Sequence, residues 1–277
     1  MINVPVKIRY FLLLTIFSMS LFPVLCLAQA VRVVLFEKGL MIQTSKPVTY
    51  TRYARSEFPY DPVGYGLITG VLAQPRAGVS PAGTETSWED VSTGADGYFK
   101  SERFNGGGLY LEYISPKEQV LVLHAAGHDK VYINGIPREG DHFDTDRVEI
   151  PTEIKKGKNS FYLTGGISNR IKAALFFPKK PVMLSTAFMT KPDLISEEDG
   201  FKWASVTLVN STRLPLTGLT LLCAVNGGAS LETPLVRVEK MTSRRVIFKI
   251  PELTDVKTDT AAVALSLSNT AAVAESF

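Results

Sequence analysis

The residues that could carry chemistry gather between positions 124 and 146. His124, His128 and His142 lie there beside Asp129, Asp141, Asp144 and Asp146. Zinc requires three or four convergent nitrogen, sulfur or carboxylate ligands. His124 and His128 are spaced i, i+4, yet Ala125-Ala126-Gly127 between them reads as a strand end and a turn, not as a helix that would align them. The run Asp141-His142-Phe143-Asp144-Thr145-Asp146 offers carboxylates at Asp141, Asp144 and Asp146 that suit calcium, a cation that prefers oxygen. It lacks the D-x-D-x-D-G loop of the helix-loop-helix calcium sites. Nucleophilic catalysis finds less support. Gly78-Val79-Ser80-Pro81-Ala82 and Gly228-Ala229-Ser230-Leu231-Glu232 approach Gly-x-Ser-x-Gly and fail at the last position. Gly106-Gly107-Gly108 reads as a turn, and Glu197-Glu198 sits in a polar turn, where a glycosidase role would need an enclosing cleft. No catalytic residue is assigned.

Aromatic side chains are the other route to a site, because sugar rings stack on flat aromatic faces. Trp88, Tyr98, Phe99 and Tyr110 are the candidates for such contacts, against the competing expectation that each fills a core.

The elements that must position these residues are strands. Short runs rich in branched and aromatic residues recur, as at 109–114, 119–123, 130–133, 160–164, 205–209, 245–250 and 262–267. Several alternate polar and apolar, as half-buried strands do. Asp96-Gly97, Asn134-Gly135 and Asn226-Gly227 tolerate positive φ and close hairpins. No window of ten or more residues forms a convincing amphipathic helix, though a helical turn is expected near Ser196–Asp199. Pro178-Lys179-Lys180-Pro181 interrupts the strand pattern and divides the chain into residues 31–180 and 181–277. Residues 31–70 read as an N-terminal extension. Its cluster Thr51–Tyr60 is expected to lie extended over the sandwich.

Residues 1–30 read as a signal peptide. Lys7 and Arg9 precede an apolar run from Tyr10 to Leu27, which ends in Ala28-Gln29-Ala30. Pro23 and the small-x-small end argue against a membrane anchor, and Pro23-Val24-Leu25 do not supply the small residues that lipidation at Cys26 requires. The expected location is therefore periplasmic or extracellular, with no membrane association after cleavage. Net charge is +3 for the whole chain, and two cations leave with the signal. A nucleic-acid or anionic-membrane surface would show a basic excess that is absent. Cys223 is then the sole cysteine, so no internal disulfide forms; its apolar run Leu219–Val225 marks it as a small buried hydrophobe.

Two stretches carry a family resemblance. His128-Asp129-Lys130-Val131-Tyr132-Ile133-Asn134-Gly135-Ile136-Pro137-Arg138-Glu139-Gly140-Asp141, followed by Lys155-Lys156-Gly157-Lys158-Asn159-Ser160-Phe161-Tyr162-Leu163, resembles the galactose-binding-like jelly-roll domains. Gly94–Phe99 looks like the upstream part of such a domain, and the likeness spans about residues 84–178. These modules accompany many secreted glycosidases and other hydrolases, and some related jelly rolls hold a structural calcium. The matching residues are turn formers, so the resemblance transfers no sugar site. Residues 181–277 are similar in pattern to an immunoglobulin-like domain, through Trp203–Thr212, Leu214–Thr220 and the strands after 244 and 261, without paired cysteines.

The expected fold is thus all-β, a jelly-roll β-sandwich followed by an immunoglobulin-like β-sandwich. The expected function is a non-catalytic binding or accessory protein whose partner is a carbohydrate or a surface protein, with no cofactor beyond the calcium considered above. The order of modules also resembles the front of larger secreted hydrolases, so a catalytic domain encoded downstream is the rival expectation. A structural or adhesive surface component is the third.

Overall fold

The computed structural model describes residues 32–45, 61–166, 168–192, 202–251 and 262–268. The expected signal peptide, the Thr51–Tyr60 cluster and the expected helical turn at Ser196–Asp199 fall outside the described residues.

The first part of the chain forms β1 (Val33–Leu35), β2 (Lys38–Gln43), α1 (Pro62–Thr69), β3 (Glu89–Ser92), β4 (Tyr98–Lys100), β5 (Gly107–Ser115), β6 (Gln119–Ala126), β7 (His128–Ile133), β8 (Ile136–Arg138), β9 (Val148–Ile154), β10 (Gly157–Gly165) and β11 (Arg170–Phe176). One sheet runs β1-β11-β6-β9, with β4 also paired to β11. The other runs β3-β2-β5-β10-β7-β8. The strand pairings are antiparallel. Inward residues of both sheets, among them Phe99, Leu111, Leu123, Ile150, Phe161 and Ile171, share one buried core. Alternation explains this: on β11, Ile171, Ala173 and Leu175 enter the core while Arg170 and Lys172 take the outer face.

The six-stranded sheet is covered on its outer face as well. Leu40, Ile42, Tyr110, Tyr132 and Tyr162 pack there against Val63 of α1 and against Trp88. This second layer is why β5 is buried along most of its length instead of alternating. α1 starts at Asp61, whose carboxylate accepts the Gly64 N–H at 2.9 Å, and Pro62 fills the first turn. Gly64 is required by a close approach: a Cβ there would lie 2.6 Å from the Tyr132 hydroxyl. Residues 31–70 are therefore not a simple covering extension. β1 extends one sheet, β2 sits inside the other, and α1 seals the second layer.

The change to a second pair of sheets falls between β11 and β12 (Val182–Thr190). It is followed by β13 (Lys202–Asn210), β14 (Thr220–Val225), β15 (Leu231–Pro234), β16 (Thr242–Ile250) and β17 (Val263–Ser268). Sheets β12-β13-β16 and β15-β14-β17 enclose Val206, Leu208, Leu221, Cys223, Val246 and Phe248. The described chain is thus an all-β molecule of stacked sheets with a single short α-helix among the described residues.

The expected turns form. Asn134-Gly135 (φ 50° and 84°) joins β7 to β8, and Asn226-Gly227 (φ 49° and 73°) lies between β14 and β15. The two segments that carry the jelly-roll resemblance meet in space. The Asn134 side-chain amide donates to Asn159 Oδ1 at 3.0 Å, and Asn134 Oδ1 accepts the Ser160 N–H at 3.0 Å. Asn159 is fully buried and also bonds the Lys155 N–H and the Lys155 and Gly157 carbonyls.

Candidate functional site

Three of the four aromatic candidates are structural. Phe99 is wholly buried between the two sheets. Trp88 and Tyr110 belong to the outer aromatic layer, with ring centroids 5.8 Å apart, and Trp88 meets Tyr162 edge-on at 6.2 Å. Burial, with Glu112 beside it, pushes the Tyr110 phenol well above its ordinary range, and the hydroxyl donates to Glu112 at 2.9 Å. A sugar cannot lie across Phe99 or Tyr110, because protein already occupies their faces.

Tyr98 differs. It is half-buried on the outer face of β4, opposite Lys172 of β11. The Arg170 guanidinium lies 4.5 Å from its ring centroid and the Lys172 ammonium 5.6 Å. Arg170 pairs with Asp144 at 2.5 Å, and Lys172 pairs with Asp146 at 3.1 Å. His124 Nε2 is 3.0 Å from Asp146. The fold therefore brings together Tyr98, Asp144 and Asp146, which the sequence assigned to two separate roles. Burial raises the Tyr98 phenol, and the Asp146 and Asp144 charges add to the effect.

The carboxylates offered for calcium each meet protein groups, though Asp144 Oδ1 is buried without a hydrogen-bond partner. Asp141 is buried and closes its own turn, accepting from the Thr145 hydroxyl at 2.5 Å and the Asp146 N–H at 2.8 Å. Asp144 and Asp146 adopt left-handed backbone (φ 52° and 58°), which short acidic side chains tolerate, and each faces a cation. Among the described residues no group of three or more His, Cys, Asp or Glu side chains is placed to hold a metal. The histidines also separate. His142 pairs with Asp129, His124 lies with Asp146, and His128 is buried with no hydrogen-bond partner at either ring nitrogen.

Sequence reasoning missed a concavity beside α1. A cleft of about 360 Å³ opens beside α1, between Tyr65 and Gly66 on the helix, Val71–Gln74, and Val79–Gly83, with Trp88 in its wall. Tyr65 is 55% exposed at its rim, with Val71 and Val79 also exposed. Gln74 supplies polarity and donates to Glu112 at 2.6 Å; Glu112 in turn pairs with Lys158 at 3.1 Å. One wall is Val79–Gly83, most of which the sequence offers only as part of a failed nucleophile motif. Its prolines and glycines signal a loop, and nothing local indicates that the loop folds back onto Trp88 through bonds from Gly78 N–H to the Trp88 carbonyl and from Trp88 N–H to the Val79 carbonyl. An apolar, aromatic-edged cleft with polar groups on one flank can hold the ring of an amphipathic ligand. It presents no paired carboxylates and no nucleophile–base pair in its lining.

No protein-family model and no curated protein matches the chain. Solved structures similar to it include a GH2 β-galacturonidase from Eisenbergiella tayi (TM-score 0.31, 13% identity, 60% of this chain and 33% of that one). An exo-β-D-glucosaminidase, CsxA, is similar at TM-score 0.29 and 13% identity, over 85% of this chain and 33% of that one. A β-D-mannosidase from Dictyoglomus thermophilum is similar at TM-score 0.26 and 10% identity, over 86% and 34%. The chain spans about a third of the length of each of these structures.

Proposed function

We propose that the chain is an exported, non-catalytic β-sandwich binding or accessory protein whose ligand is a carbohydrate, built from two domains divided at Pro178–Pro181. Export rests on the basic, apolar and small-x-small pattern of residues 1–30. The ligand class rests on one observation, the cleft edged by Tyr65 and Trp88. Its size suits one or two sugar rings, Tyr65 offers a ring face at the rim, and Gln74 and Ser80 offer hydrogen bonds. The candidate stacking residue thus shifts from Trp88, whose ring is enclosed, to Tyr65.

The test is retention of the full chain on a panel of immobilised uncharged polysaccharides, with Tyr65→Ala beside it. Losing a stacking aromatic is expected to weaken binding roughly tenfold, at about 1.4 kcal/mol per decade. Retention by no polysaccharide overturns the reading. So does equal retention of Tyr65→Ala.

A further inference from the structure

The outer face of sheet β12-β13-β16 carries a guanidinium group that has no carboxylate partner among the described residues. Five arginines pair with carboxylates: Arg103 with Glu89, Arg138 with Glu139, Arg170 with Asp144, Arg213 with Glu153 and Arg237 with Glu239. Arg245 and Arg147 do not. Arg245 is held by neutral oxygens: Nε donates to the Ser205 hydroxyl at 2.6 Å, and Nη2 donates to the Phe188 carbonyl at 2.8 Å and to the Thr190 hydroxyl. Those bonds fix the guanidinium without cancelling its charge, and Nη1 makes no hydrogen bond among the described residues. Arg147, arriving from the loop before β9, lies 3.6 Å over the Phe188 ring and is exposed. Two guanidinium groups therefore converge on Phe188 from the two pairs of sheets, with no carboxylate on either among the described residues.

The same face holds an exposed aromatic. Trp203 is 54% exposed and Ile247 is 61% exposed. Register places Trp203 opposite Lys249, Ser205 opposite Ile247 and Thr207 opposite Arg245. The Lys249 ammonium lies 5.5 Å from the Trp203 ring. Trp203, Ser205 and Thr207 on β13 and Arg245, Ile247 and Lys249 on β16 thus line a strip, and among the described residues the three strands of this sheet contain no Asp or Glu. The strip extends roughly 13 Å along the strands, at about 3.3 Å per residue. A hydrophobic partner would be badly served by it, since docking would bury guanidinium groups without counter-charge. An occupant with regularly placed anions and flat apolar ring faces satisfies both features.

We infer that this strip binds an anionic polysaccharide, with Trp203 stacking on a sugar ring and Arg245 and Arg147 pairing its carboxylate or sulfate groups. The inference rests on the carbohydrate reading above but uses a second surface and a charged class of glycan. Arg245, already immobilised, loses little freedom on binding. Affinity electrophoresis of the full chain in gels holding alginate, chondroitin sulfate or an uncharged β-glucan tests it, with Trp203→Ala, Arg245→Gln, Arg147→Gln and Tyr65→Ala. The anionic gels are expected to retard the wild type more than the neutral gel. Trp203→Ala and Arg245→Gln each weaken that retardation about tenfold, Arg147→Gln does so more mildly, and added salt weakens it further as the charges are screened. Alginate against chondroitin sulfate separates carboxylate from sulfate recognition. Unchanged mobility of Trp203→Ala and Arg245→Gln, at unchanged melting temperature, overturns the inference. So does equal retardation by the uncharged glucan, or equally tight binding of polyglutamate with the same variant losses, which would identify an acidic protein segment instead. If Tyr65→Ala abolishes neutral-glycan binding while the Trp203 and arginine variants change nothing, this inference falls and the cleft reading stands. Failure of every glycan fells both.

Discussion

His128 starts β7 fully buried, with the Glu139 carbonyl near its ring but outside good hydrogen-bond geometry. Burial lowers its pKa to about 4, against the opposing pull of Asp141, the Glu139 carbonyl, Asp129 and the Glu139 charge. The folded state therefore holds the neutral imidazole, while the unfolded chain titrates near the ordinary 6.5. The sign follows. The contribution is complete above pH 6.5, is lost as pH falls toward 4, and changes no further below that. A shift of this size corresponds to about 3 kcal/mol. Asp141 acts in a more acid range. Its own burial works to raise its pKa, but the Thr145 hydroxyl, the Thr145 and Asp146 N–H groups and the His128 charge together hold it below the usual carboxylate range. Denaturant titrations at pH 7, 5.5 and 4.5 should show stability falling with pH in the wild type and a much flatter profile in His128→Leu. Parallel profiles would refute this account.

Among the elements, the β7–β8 and β9–β10 turns act as one unit. Each turn is local, but the Asn134–Asn159 bond ties them together across neighbouring strands β7 and β10. Asn159→Ala would leave the Asn134 amide and the Lys155 N–H and carbonyl without this partner in a partly buried place. An expected loss of about 2–4 kcal/mol, from several orphaned bonds, would lower the melting temperature of the first pair of sheets. Asn159→Asp should recover only part of it, since a carboxylate accepts but cannot donate to those carbonyls. Gly165 constrains the other end of β10: a Cβ there would lie 1.8 Å from the Phe104 carbonyl. Gly165→Ala must displace backbone, and soluble yield with native-like near-ultraviolet dichroism is the check.

At the scale of the molecule, two cores are joined through β9. Ser243 donates to the Glu149 carbonyl, Arg138 Nη2 donates to the Met241 carbonyl at 3.0 Å, and Arg213 pairs with Glu153 at 2.7 Å. These contacts are polar and few beside the burial within each core, so the two halves should unfold with separable transitions. Each half contains its own reporter. Trp88 is buried in the first, and Cys223, its thiol pKa raised by burial, lies in the second. In a Cys26→Ser, Trp203→Phe chain, Trp88 fluorescence and Cys223 labelling by a thiol reagent should give different denaturant midpoints. Coincident midpoints would mean that the junction couples the halves into one cooperative unit.

Strand identity and hairpin positions were legible in the residues themselves, because they depend on alternation and on positive-φ turn formers. The Asn-Gly turns and the buried Cys223 fall into that class. Residues 31–70 and α1 did not, since three- and six-residue strands and an eight-residue helix with two glycines and a proline carry little periodic signal. Exposure was the larger gap. Trp88, Phe99 and Tyr110 are aromatics in strand-like surroundings, just as Tyr65 and Trp203 are aromatics beside a turn or on a strand. Which of them faces water depends on whether α1 and the 71–88 loop, or nothing, cover that side of the sheet. Period-two alternation assigns a side chain to a face, but only tertiary packing decides whether that face is a core, a cleft or an open surface. Tyr98, Asp144 and Asp146 make the same point, for they are distant in sequence and meet only because β4 and the 141–147 loop both lie against β11.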